Sequence, residues 1–343
     1  MSTFNKGDIM DDSHLNVMEG YLDDCKITQM QYHSFLPYSS TAFSKNDEIR
    51  ISIQNMDAYT LPCESYLFIE RKVNKQDSAV GDIYFTNNGL VFLFSEMRYE
   101  VNGVEIQKLN SPGIYSTLKG YCSYAPHDLY ELENVDWDLD ETNFMEKEKF
   151  SGCHPLKHLF EFCEDYKKVL LNCSQQIILN QSSTNFDTLR STVTKVLWKS
   201  PVIRINDSEK LKLLRALDSC KPLECTSLLE NPRFVIIGFQ TNRKNNLINP
   251  SGWFDHCNLK NLKVYLNNEV YPYEGFHANF SKAKTAILCK AYTDFQKSYY
   301  GRETSAPLLT RQKFTANAPI VVVDLSRQND NVRASTVDLR IEF

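Results

Sequence analysis

The sequence predicts an all-β protein made of two similar domains in tandem, and three observations predict it. Short apolar stretches alternate with a two-residue period, as in DEIRISIQN, where Ile49, Ile51 and Ile53 fall on one side and Arg50 and Ser52 on the other. Tyr and Phe number 18 and 20 against 12 glycines, a balance that suits strands. A hairpin followed by a helix occurs twice, at places 165 residues apart in a chain of 343. A single core stops growing near roughly 250 residues, so two domains is the economical division.

The first forty residues are polar and lack sustained periodicity, and residues 1–45 are expected to be an N-terminal arm. The first β domain is assigned to residues 46–190. It opens with DEIRISIQN and continues with SYLFIERKV and NGLVFLFSEM, which are apolar enough to be strands covered on both faces. RYEVNGVEIQ then places Tyr99 and Val101 before an Asn102-Gly103 turn and Val104 and Ile106 after it. Asn-Gly favours a two-residue hairpin because both residues tolerate the positive φ of a type I′ turn. SPGIYSTLKGYCSY follows as a helix, with Ser111 as N-cap, Pro112 at the first helical position, and Ile114, Leu118 and Tyr121 on one face.

YELENVDWDLDETNFMEKEKF, residues 130–150, is dense in acid and is expected to be a solvated loop. Apolar density resumes in HPLKHLFEFCEDYKKVLLNCSQQIILNQ, which ends in a strand at Ile177 to Leu179. The second domain is assigned to residues 191–343. Within it, Leu262, Val264 and Leu266 lead to an Asn267-Asn268 turn, from which Val270 and Tyr271 return. SKAKTAILCKAYTDFQKSYYG then sets Ile287, Leu288, Ala291, Phe295 and Tyr299 on a helical stripe that stops at Gly301. PRFVIIGFQT and APIVVVDLS are short buried strands, and TVDLRIEF alternates Val337, Leu339 and Ile341 against Asp338 and Arg340.

Composition narrows the function classes. Hydrophobic residues are 42% and charged residues 24% of the chain, as in folded globular proteins. The formal net charge is −5 and the basic residues are scattered, so no direct nucleic-acid or lipid-surface binding is indicated. The acidic start lacks the apolar stretch of a secretory signal, and no stretch approaches the roughly 20 apolar residues of a membrane helix. The expectation is therefore a protein that is not secreted and has no membrane-spanning segment. Ten cysteines without a signal favour reduced thiols over a disulfide framework. The glycosylation patterns at Asn172, Asn180, Asn206 and Asn279 then go unused.

No phosphate-cradling loop, nucleophile elbow or paired-histidine metalloprotease motif is present. The nearest approach to a site is CHPLKHLFEFC, where Cys153, His154, His158 and Cys163 could supply imidazole and thiolate to zinc. Their spacing matches no zinc pattern and Pro155 follows His154 directly, so packing roles are the better reading. Asp136, Asp138, Asp140 and Glu141 could pair for acid-base chemistry, but a loop this acidic keeps carboxylates in water. Tyr265, Tyr271, Tyr273, Tyr299 and Tyr300 could stack on a sugar or a base, or fill a core or a subunit interface. No catalytic, cofactor-binding or metal residue is assigned, and no cofactor is expected.

RYEVNGVEIQKLNSPGIYSTLKGY, HPLKHLFEFCEDYKKVLLN, PRFVIIGFQTNRK, FDHCNLKNLKVYLNNEVYPYE, FQKSYYG and PIVVVDLSRQNDNVRASTVDLRIEF together resemble the double jelly-roll major capsid-like proteins, notably those of Maverick/Polinton-type elements and related insect-virus-derived genes. The similarity runs from about Asn46 to Phe343. It implies two jelly-roll β-sandwiches side by side, three subunits per pseudo-hexagonal capsomer, and a place in the virion or, for a domesticated gene, in the host cytoplasm or nucleus. The partners implied are a homotrimer and its neighbouring capsomers. Lys212 to Val235 is shorter than in similar proteins, which continue beyond the position of Phe343, so the second jelly roll is expected to be incomplete.

Three functions follow. The first is a self-assembling, non-enzymatic capsid-like subunit. A lectin-like module binding carbohydrate or peptide through the tyrosines is the alternative. The third is a metal-dependent enzyme centred on His154 and His158.

Overall fold

The computed structural model describes residues 26–38, 48–54, 58–75, 86–135, 137, 149–182, 189–219, 232–243, 250–267, 269–327 and 338–343. The first 205 residues supply β1 (Ile27–Phe35), β2 (Glu48–Ile53), the two-residue β3 (Tyr59–Thr60), β4 (Tyr66–Lys75), β5 (Phe94–Val101), β6 (Val104–Asn110), β7 (Lys149–Pro155), β8 (Gln175–Gln181) and β9 (Leu189–Ile205). One sheet has the order β1-β9-β4-β7, with β3 also on β9, and the other has the order β2-β8-β5-β6. The chain changes sheet at nearly every connection, and of the main strands only β5 and β6 follow one another within a sheet. That is the wrapped path of a jelly roll.

The two sheets meet through the residues whose alternation marked them. Ile49 and Ile51 of β2, Leu67 and Ile69 of β4, Ile177 of β8 and Trp198 of β9 are 0% exposed and share one core. Each such side chain contributes about 1.5–3 kcal/mol on burial, so register in these strands is strongly fixed.

Residues 27–35, expected in the arm, are an edge strand of the first sheet, and the expected boundary at residue 190 falls inside β9, which pairs with β1 and β4. The stretch NGLVFLFSEM enters its strand only at Phe94. Asn88 takes φ 62° and Val91–Leu93 form a single 3₁₀ turn that inserts Val91 into the core.

After β6 comes α1 (Pro112–Ser123), with Pro112 at its first position as expected. Ser111 precedes it at φ 52° and makes no capping bond, because a left-handed backbone does not present Oγ to the helical amides. The acidic segment beyond is packed at its start rather than wholly solvated. It forms α2 (Leu129–Leu132), and Leu132, Val135 and Trp137 are each at most 2% exposed while Glu131 and Glu133 face water. Three apolar side chains among many acids are enough to anchor a loop yet too few to set up a periodicity. Two short helices, α3 (Leu156–Leu159) and α4 (Glu161–Asp165), lead from β7 toward β8.

The second half comprises α5 (Asp207–Ser219), β10 (Phe234–Ile237), β11 (Lys263–Leu266), β12 (Glu269–Tyr271), α6 (Ala286–Tyr300), α7 (Arg311–Asn317), β13 (Val321–Asp324) and β14 (Leu339–Glu342). Its described strands form the sheets β10-β13 and β12-β11-β14. The expected hairpin is β11–β12, turning at Asn267 with φ 53°, and α6 ends on Gly301 at φ 66°. Leu288, Tyr292 and Phe295 carry the buried stripe of α6, and Ala291 and Tyr299 flank it half-buried. Ile287 is 58% exposed, being roughly 100° around the helix from its neighbour Leu288. Asn268 and Val337 lie outside the described residues.

Candidate functional surfaces

Among the described residues no side chains gather as a catalytic constellation would, so the sites to consider are the seam between the halves and the sheet edges. The seam is built from the two repeated helices. Tyr292 of α6 donates its hydroxyl to the carbonyl of Tyr121 at the end of α1 (2.8 Å), and Gln296 Nε2 donates to the carbonyl of Tyr124 (2.9 Å). Tyr121 in turn donates to the carbonyl of Gly252 (3.1 Å). The core of the second half therefore includes Tyr121, Tyr124, Leu132 and Trp137 from the first. Trp137 stands edge-on to Tyr121 and Tyr124, with ring centroids 5.4 Å away in both cases.

Charge is handled at the rim of the seam. Lys119 of α1 pairs with Glu164 of α4 (2.6 Å), and Tyr300 of α6 donates to the same carboxylate (2.9 Å). Burial, reinforced by the Glu164 charge, pushes the Tyr300 hydroxyl well above its ordinary value. It stays protonated and donates.

The four candidate zinc ligands are separated by these surroundings. His154 is 1% exposed, and its Nε2 lies 2.9 Å from Asn88 Oδ1, while Asn88 Nδ2 donates to Ser116 Oγ on α1 (2.5 Å). Asn88 therefore presents its oxygen to the ring, and the neutral imidazole donates from Nε2. Burial pushes the His154 pKa down to about 4. His158 lies 6.1 Å from His154 between ring centroids, packs on Tyr124, and is likewise held well below its usual pKa by burial. Cys153 is half-buried on β7, and Cys163 sits at 0% exposure in the core of the first sandwich. Among the described residues, no group of three or more His, Cys, Asp or Glu side chains is placed to hold a metal ion. The seven described cysteines are free thiols.

Asp136, Asp138, Asp140 and Glu141 lie outside the described residues. The candidate tyrosines do not form one patch. Tyr299 stacks on Phe295 (5.1 Å) and Tyr300 bonds Glu164. Tyr271 donates to Glu269 (2.6 Å), the Arg340 guanidinium lies 4.3 Å from the Tyr265 ring, and Tyr273 alone of the five is largely exposed, at 82%. A cleft of about 220 Å³ between β10, β13 and α6, lined by Phe234, Phe276 and Phe295, is smaller than the roughly 300–1,000 Å³ of typical ligand pockets.

The repeat seen in the sequence extends to strand pairing. The pairs β4·β7, β5·β6 and β5·β8 of the first half recur as β10·β13, β11·β12 and β11·β14, all antiparallel. The register of the β5·β8 pair recurs in β11·β14 as well. Tyr99 faces Ile177 in the first half, and Val264, 165 residues on, faces Ile341 in the second. The five described strands of the second half thus pair as their counterparts in the first half do.

A family model described as the double jelly roll-like domain matches residues 83–228 and 220–343. The chain belongs to that family. Comparison with curated proteins gives no match. Among solved structures, the double jelly roll is similar to a chain of the Sputnik virophage structure determined by cryo-electron microscopy, at 10% identity and TM-score 0.56, covering 92% of this chain and 81% of that one. It is also similar to a quasi-atomic model of the PBCV-1 virus capsid, at 11% identity and TM-score 0.50, covering 86% and 77%. At these identities the likeness is one of fold. No helix among the described residues is long and apolar enough to cross a membrane.

The sequence marked Tyr121 and Tyr300 but did not single out the other polar residues of the seam. Tyr292, Gln296 and Asn88 act through backbone carbonyls and buried polar contacts distant in the chain, for which a single sequence carries no pattern.

Proposed function

We propose that this double jelly roll is a structural, self-assembling capsid-like subunit that forms a trimeric pseudo-hexagonal capsomer. Its first jelly roll would occupy residues 27–205 and its second the remainder. The observation that carries the reading is the doubled strand plan locked through α1 and α6. A rigid pair of like sandwiches presents nearly equivalent flanks, and three doubled subunits closing heterologously make a six-sided plate. The family and the viral capsid folds it resembles support the same reading. The role is non-enzymatic, and four of the five candidate tyrosines are engaged within the chain, which leaves Tyr273 alone rather than an aromatic patch for the sugar-binding alternative.

The test is mass photometry of the purified chain across a concentration series, followed by negative-stain imaging. Trimers and hexagonal capsomers are expected. A strict monomer at high concentration overturns the proposal. Imaging also separates a particle-forming subunit from a virus-derived gene product that stops at the trimer.

A further inference from the structure

The matching registers of β5·β8 and β11·β14 make these two strand pairs comparable residue by residue. Gln175 and Ile177 on β8 correspond to Leu339 and Ile341 on β14, through their partners Val101 and Tyr99 and the equivalent Leu266 and Val264. The first pair is 2% and 0% exposed, whereas the second is 43% and 39% exposed, and Phe343 beyond it is 80% exposed. In the first half this inner face is covered by the opposing sheet, where β9 lies beside β4. In the second half β10 takes the place of β4, and among the described residues its other edge has no neighbour. All four residues of β10, Phe-Val-Ile-Ile, are only half-buried.

Two structural demands are therefore open at one place: a row of backbone donors and acceptors along β10, and an apolar face on β14. Proteins usually protect open edges with charge or proline. Most strands that end a sheet here follow that rule, with Glu48 on β2, Glu105 on β6, Lys149 on β7, Glu269 on β12, Asp324 on β13 and Arg340 on β14. Two do not. One is β10 and the other is β1, whose sequence ITQMQYHSF has no Asp, Glu, Lys, Arg or Pro. β1 ends its sheet and is exposed at eight of nine positions, with Ile27, Met30 and Tyr32 each about half exposed at 51%, 46% and 48%.

We propose that β1 of one copy pairs with the free edge of β10 of the next copy, taking the position that β9 holds beside β4, and covers Leu339, Ile341 and Phe343 there. This rests on the self-assembling reading above and names the surfaces it uses. The sheet β7-β4-β9-β1 then continues into β10-β13 of the neighbour. Neither strand brings a charge that would need a partner when buried, and nine residues of β1 span the four of β10. The contact joins different surfaces on the two copies, so it is heterologous and can close a ring.

Hydrogen exchange tests it without assuming a register. On passing from dilute monomer to assembled protein, the outward amides of residues 27–35 and the amides of 234–237 are expected to exchange at least tenfold more slowly. Val235→Lys, which places a charge on the edge, is expected to weaken assembly at least tenfold, and Val104→Lys on β6 to leave it unchanged. Assembly without protection of these two strands overturns the pairing and leaves the capsid-like reading intact. Protection already complete in the monomer also overturns it, since the edge is then filled within one chain. Absence of any assembly overturns both.

Discussion

Tyr292 on α6 holds the carbonyl of Tyr121 on α1 at 2.8 Å and accepts the Leu309 amide at 3.2 Å, so one hydroxyl joins the helix of one half to the helix and loop of the other. The hydroxyl is buried, and burial pushes its pKa far up, which keeps the donor in place. The two halves are coupled through buried hydrogen bonds as well as apolar contact.

Tyr292→Phe leaves that carbonyl and that amide without their partner while keeping the ring. The expected cost is about 1–3 kcal/mol, the penalty for buried unsatisfied groups. Urea unfolding followed by both fluorescence and circular dichroism is expected to show an earlier midpoint with an unchanged slope. The two probes should remain coincident, because the seam still makes one cooperative unit.

Trp137→Ala removes the anchor of the acidic segment from between Tyr121 and Tyr124. A buried Trp with two edge-on aromatic neighbours should cost about 3–5 kcal/mol when truncated. Differential scanning calorimetry checks it. If the segment were merely a solvated loop, the melting temperature would barely move.

His154 gives the pH dependence a definite sign. Its folded pKa is depressed to about 4 from an ordinary 6.5, so the unfolded chain takes up the proton first. The stability it contributes is fully present above pH 6.5 and is lost as pH falls toward 4. The shift corresponds to about 3 kcal/mol at most. Chemical denaturation at pH 7, 5.5 and 4.5 is expected to show a fall that His154→Gln lessens, since Gln keeps a donor for Asn88 without titrating.

Much of the fold was legible because burial on one face writes itself into alternation. Ile49, Ile51 and Ile53 declared β2, and Asn102-Gly103 declared the β5–β6 turn. β1 was not legible for the opposite reason: exposed on both faces, it has no apolar partner set to repeat, and its place is fixed by backbone pairing to β9. The expected boundary at residue 190 falls inside β9, which runs 17 residues through the middle of the sheet with apolar density that resembles a fresh start. TVDLRIEF was legible as a strand, yet alternation announces which residues share a face and says nothing of what covers it. The exposure of Leu339 and Ile341 is therefore a property of the fold that their alternation does not carry.

Gly103 isolates the energetics of the repeated hairpin. Asn102 and Gly103 sit at φ 52° and 77°, the paired positive values of a type I′ turn, and a Cβ added at Gly103 would meet no atom within 4 Å. Gly103→Val therefore tests backbone conformation alone, with no steric neighbour to confuse the result. A left-handed position costs a side-chain-bearing residue about 1–2 kcal/mol, and a β-branched one falls at the upper end. Equilibrium unfolding should show that loss, while Gly103→Asn, whose side chain tolerates the left-handed region, should recover most of it. Equal losses for both variants would mean that the left-handed backbone at Gly103 does not set the cost of the substitution.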